Sequence, residues 1–138
     1  MIRRAYLDGR WGQLHVRQAG QGTRLLLLHQ SPLSGAMFDA AMPLLAAAGI
    51  EAVALDTPGF GLSDAPPAPT TIHAYGEIVG DALDALGWDR AAILGHHTGA
   101  AIGASFAARN PARVERLILN GVPLLTPETA APVRQDTR

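Results

Sequence analysis

The chain has 138 residues, 48% of them hydrophobic, and a formal net charge of −1, enough for one ordinary hydrophobic core and one domain. Its 11 basic residues are all arginines, dispersed from Arg3 to Arg138 and balanced by 12 acids, so no face is built for nucleic acid or an anionic membrane. With no cysteine, disulfides, thiolate metal sites and a cysteine nucleophile are excluded, and a cytoplasmic location is the default expectation.

At the amino terminus, Ile2–Leu7 and Gln13–Gln18 flank Asp8-Gly9-Arg10-Trp11-Gly12, a pattern that predicts an antiparallel hairpin. The polar residues Asp8 and Arg10 also break up any signal-peptide apolar run after Arg3 and Arg4. From about residue 24, short apolar runs alternate with helical patterns, the signature of βαβ units and a mainly parallel sheet. The predicted strands are Leu25–Leu28, Ala52–Leu55, Ala91–Leu94 and Val114–Leu119, apolar enough to be covered on both faces. Leu25–Leu28 is far too short to span a bilayer.

A first helix is expected within Ala36–Ala48, ending at Gly49, with Pro43 either in its first turn or at a kink. The second has Thr70 or Thr71 as its cap, an apolar stripe of Ile72, Tyr75, Val79, Leu83 and Leu86, and Gly87 as its stop. The third runs from about Thr98 to Arg109 and is halted by Asn110-Pro111. Its Ala100, Ala101, Gly103 and Ala104 are small enough to bring it close to the sheet. Asp56–Ser63 and the proline-rich Ala65–Pro69 form the longest predicted loop, and Thr126–Arg138 shows no periodicity and is expected to fray.

Chemistry concentrates where the third parallel strand meets its helix. Gly95-His96-His97-Thr98-Gly99 reads as a strand, a sharp turn and a helix start, with two glycines four positions apart and His97 at the apex. An apex residue in a strained conformation needs such glycines, because a side chain at either place would collide with the adjoining strand or helix. This is the frame of a nucleophile elbow, with imidazole where Ser, Cys or Asp usually stands.

Three segments in order, His29-Gln30-Ser31-Pro32, Asp56–Ser63 and Gly95–Gly99, resemble the α/β-hydrolase superfamily. The resemblance implies an α/β fold with a mainly parallel sheet and an amino-terminal antiparallel hairpin. It covers residues 1–125 as a partial domain, truncated after about the sixth strand, with 126–138 as a tail. It also implies an oxyanion hole formed by the amides of Ser31 and Thr98, with His29, Gln30, Gly95, His96 and Gly99 in supporting places. The family usually has glycine where this chain has Gln30. Its triad acid and histidine follow later strands, and its members are about twice this length, so a fragment is expected. If Val114–Leu119 ends the sheet, its open edge offers a surface for self-association.

Three functional readings stay open. In the first, a metal- and cofactor-independent hydrolase acts on a small ester, amide or related carbon–heteroatom bond, with His97 as general base toward water or as direct nucleophile. The second is a non-catalytic homologue that binds a small ligand or a partner in the same cleft, and the third an inactive fragment. His96 is expected to point away from His97, and His29 to support its loop by hydrogen bonding. Asp56 reads as a turn-forming acceptor, and His15 and His73 as solvent-exposed residues. Adjacent histidines do not converge on one ion, and HExxH is absent. Phosphate cradling is not supported either, since GxGxxG spacing is missing and a chain without lysine has no Gly-Lys-Ser/Thr.

Overall fold

The computed structural model describes residues 1–123, so the expected tail 126–138 lies outside the described residues. Six strands form one sheet: β1 (Arg3–Gly9), β2 (Gly12–Ala19), β3 (Thr23–Leu28), β4 (Ile50–Leu55), β5 (Ala91–His96) and β6 (Val114–Asn120). Their spatial order is β1-β2-β4-β3-β5-β6. The hairpin β1–β2 is antiparallel and β2 joins β4 antiparallel, whereas β3, β4, β5 and β6 run parallel. The chain steps from β3 to β4 on one side and then crosses to place β5 on the other. Between β3 and β5 the connections diverge, and open α/β sheets hold their ligands in that crevice at the carboxyl ends of the strands.

Burial divides the core between the two sheet faces. On one, Leu26, Leu28, Val53, Leu55 and Ile93 pack with residues of α2 (Ile72–Leu86) and α3 (Thr98–Arg109). On the other, Leu25, Leu27, Ala52 and Ala54 meet Phe38 and Met42. Alternate residues of the same strands thus serve both clusters, which is why these strands read as unbroken apolar runs.

Between β3 and β4 there is no single helix. Ser34 caps a short 3₁₀ turn at Gly35–Phe38, and α1 (Met42–Ala47) begins separately with Pro43 in its first turn, where a missing N–H costs nothing. Helix α2 starts at Thr71, whose hydroxyl accepts from the Ala74 amide, and stops at Gly87 with φ 71°. Of the expected stripe, Val79 and Leu83 are buried and Tyr75 and Leu86 pack against the core, Ile72 is exposed, and Gly76, Ile78 and Ala82 widen the buried face. The widening comes from α3, which presses so closely that a Cβ on Gly76 would lie 3.3 Å from the Phe106 amide nitrogen.

Strand β6 ends the sheet among the described residues, with Ile118 and Leu119 exposed. No helix among these residues is long and apolar enough to cross a membrane.

Candidate active site

The loop after β3, the loop after β4 and the turn from β5 into α3 all open at the same end of the parallel strands. His29 begins the first of these and is buried. Its Nδ1 lies 2.8 Å from the Gln30 carbonyl, and its Nε2 lies 3.0 Å from both the amide nitrogen and the hydroxyl of Thr57. A backbone N–H can only donate, so Nε2 is the acceptor and the ring proton sits on Nδ1. Burial lowers the His29 pKa from its ordinary 6.5, the dominant cause, against smaller opposing effects from the Gln30 carbonyl and Asp56. Neutral His29 therefore pins the post-β3 loop to the post-β4 loop.

This has a consequence for stability. With the folded-state pKa below 6.5, the unfolded chain takes up the proton first, so the stabilisation is complete above that value and is lost as pH falls below it. Urea midpoints are expected to drop as pH is lowered through this range, and His29→Gln to remove that part of the slope. An unchanged slope in the variant would refute the assignment.

Asp56 anchors the far end of the same loop. It is 1% exposed, and its carboxylate accepts from Gly35 N at 2.7 Å, from Leu62 N at 3.0 Å and from His15 Nδ1 at 2.9 Å. Arg17 Nη1 stands 3.5 Å away as an ion pair without a hydrogen bond. Gly61, at φ 54°, is required here because any Cβ would strike this carboxylate. Asp56 is a structural acceptor, as its place in a turn predicts.

His15, by contrast, is 1% exposed rather than solvated. Strand β2 is flanked by β1 and β4, and the Asp56 amide continues the β2–β4 ladder to the His15 carbonyl, which sets the imidazole against the carboxylate. The ladder register was the available signal, since a buried Asp at the end of β4 needs a donor from the neighbouring strand. His73 is half-exposed and pairs with Glu77 one helical turn on.

The turn between β5 and α3 holds the most unusual backbone. His97 has φ 53° and ψ −115°, the one positive-φ residue among the described residues that is not glycine. Such a conformation stores about 1–3 kcal/mol of strain and persists only where the surroundings impose it. Here they do. A Cβ on Gly99 would overlap the Leu28 carbonyl oxygen and lie 2.7 Å from the His29 oxygen, and one on Gly95 would overlap the Gly99 carbonyl and lie 2.6 Å from Ala100 Cα. The His97 amide donates to the Asn120 carbonyl of β6 at 2.9 Å, and its own carbonyl accepts from Ala100 and Ala101.

His97 is exposed above the strand ends, resting over Gly121, where a Cβ would lie 3.3 Å from Nε2. His96 does not turn away as expected. The two imidazoles meet edge to face with centroids 4.6 Å apart, because the positive φ at His97 breaks the strand alternation that would have separated them. His96 Nδ1 is buried without a partner among the described residues.

Thr98 begins α3 and reaches back to the post-β3 loop. The Ser31 amide donates to Thr98 Oγ1 at 2.6 Å, and this hydroxyl stands 3.2 Å from Ser31 Oγ, to which it donates. The Ser31–Pro32 peptide is cis. Gln30 contributes through its carbonyl, which accepts from His29 and from the Leu33 amide at 2.9 Å. The Thr98 and Gly99 amides have no acceptor among the described residues, so the positive end of α3 faces the crevice beside His97.

A recess of about 850 Å³ lined by Tyr6, Asp8, Arg10, Asp81 and Asp84 lies on the β1–α2 face instead, and Arg10 is paired there with Asp81 and Glu77. No group of three or more His, Asp or Glu residues able to hold a metal occurs among the described residues.

Comparison with known proteins agrees with this architecture. The chain is 32% identical over 123 residues to epoxide hydrolase 3 of Siraitia grosvenorii, covering 87% of this chain and 39% of that protein. It is 33% identical to the human serine hydrolase-like protein, covering 86% and 60% respectively. An epoxide hydrolase from an endophytic Streptomyces superposes with a TM-score of 0.83 at 32% identity, over 90% of this chain and 38% of that one. The chain therefore spans less than two thirds of each of these relatives. Residues 23–137 match the family model described as alpha/beta hydrolase fold. Fold and sequence agree, and the chain belongs to the alpha/beta hydrolase fold family.

Proposed function

We propose that the chain carries the elbow and oxyanion elements of a hydrolase that adds water to a small ester, amide or related carbon–heteroatom bond. One observation carries this reading: His97 is held at φ 53° on the β5–α3 turn, in the crevice between β3 and β5, beside amides of α3 that have no acceptor among the described residues. The name of one similar protein, epoxide hydrolase, supports a carbon–oxygen bond as the target.

In the proposed chemistry, His97 takes a proton from a water molecule as that water attacks the electrophilic carbon. The Thr98 amide, and the Ser31 amide once released from the Thr98 hydroxyl, donate to the oxygen on which negative charge develops. When the bond to the leaving group breaks, the imidazolium returns its proton to that group. No metal or organic cofactor enters these steps.

Purified full chain assayed with p-nitrophenyl acetate tests the proposal. His97→Ala is expected to lower kcat about 100-fold or more, the usual worth of a positioned general base. A variant that hydrolyses as fast as wild type would exclude His97 from the reaction. The imidazole at the apex also favours a second reading, a small-ligand-binding homologue whose nucleophile has been replaced. No change in activity in His97→Ser, with ligand binding retained, would select that alternative, whereas gained esterase activity would show that His97 had disabled an otherwise intact hydrolase.

A further inference from the structure

In an oxyanion hole assembled from the Ser31 and Thr98 amides, one donor is already engaged, because the Ser31 N–H points at Thr98 Oγ1 at 2.6 Å. The same hydroxyl donates to Ser31 Oγ, 3.2 Å away, so its hydrogen-bonding capacity is turned inward on the loop. We infer that the Thr98 side chain is a latch on the oxyanion hole, a resident neutral oxygen that a substrate oxygen must displace to reach the Ser31 amide. This inference rests on the hydrolytic reading of the elbow.

The latch acts on selectivity through a difference in acceptor strength. A neutral carbonyl exchanging with the Thr98 hydroxyl replaces one neutral hydrogen bond by another and gains almost nothing. An oxygen bearing full or developing negative charge accepts about twice as strongly, so it displaces the hydroxyl at a net gain. The hole thus stays closed to the ground-state carbonyl and opens as charge develops, which is the direction that transition-state selectivity requires. Ligands favoured by the site are those with an anionic or strongly polarised oxygen. Thr98 serves here as a positioning residue: its hydroxyl sets the availability of the Ser31 amide and takes no part in bond making.

Two readouts on the 138-residue chain separate this inference from the reading beneath it. In ¹⁵N-labelled protein, Thr98→Ala is expected to shift the Ser31 amide proton upfield, and Thr98→Ser to restore it. Sodium acetate is expected to move the Ser31 amide in Thr98→Ala at concentrations that leave wild type unchanged. With p-nitrophenyl acetate, Thr98→Ala is expected to raise kcat/KM about threefold to tenfold, the worth of one neutral hydrogen bond, with a fall in KM. A lower kcat/KM in Thr98→Ala, or equal acetate response in both proteins, overturns the latch. Absence of hydrolysis in every variant overturns the hydrolytic reading, and the acetate titration then decides the latch alone.

Discussion

Replacing Gly99 by alanine is expected to cost about 3–5 kcal/mol, a large part of the total stability of a domain this size. The added Cβ would enter the Leu28 carbonyl oxygen and crowd that of His29, both backbone atoms that no side-chain rotation can clear. Either α3 lifts from the sheet or the end of β3 bends, and both movements undo the elbow. Gly95→Ala meets the Gly99 carbonyl and Ala100 Cα in the same way. Gly87→Ala supplies the control: nothing lies within 4 Å of a Cβ there, so its cost is that of a left-handed φ of 71° alone. Urea unfolding of the three variants checks the order, and a Gly99→Ala midpoint equal to that of Gly87→Ala would show that the close approach does not exist.

Asp56→Ala is expected to cost a similar amount, about 3–5 kcal/mol, by a different route. Its carboxylate terminates three hydrogen bonds in a site almost closed to water, from Gly35 and Leu62 amides and the His15 ring, with Arg17 beside it. Alanine leaves all of them without an acceptor, each buried donor incurring its own desolvation penalty. The loss also frees one end of the loop that carries Ser31. Gly35 and Leu62 amides should exchange with solvent much faster in the variant, measured by hydrogen–deuterium exchange. Wild-type stability together with unchanged protection at Gly35 would contradict the anchoring role.

Much of this architecture was legible because its signals are local. The Gly95–Gly99 spacing follows from steric exclusion around one turn, Thr71 and Gly87 bracket α2, and three of the four apolar runs form strands covered on both faces, whereas β6, at the sheet edge, is largely exposed. What escaped depends on neighbours distant in sequence. His15 sits on a strand with a polar flank and reads as exposed until β4 lies beside it and Asp56 supplies its partner. The additional buried positions of α2 are dictated by α3, whose contact at Gly76 no periodicity reveals. The direction of His96 reversed because strand alternation ends where φ changes sign. The Ser31 amide reads as free in the sequence, since the hydroxyl that occupies it belongs to Thr98, 67 positions away.

The proposed chemistry and the site's geometry depend on the β5–α3 turn bringing Thr98 onto the loop after β3. A NOESY spectrum of the labelled chain tests it directly. Cross-peaks are expected between the Ser31 amide proton and the Thr98 side chain, together with contacts from the Gly99 α-protons to Leu28 and His29. Uninterrupted helical connectivities through residues 95–99 with no contact to Ser31 would contradict it.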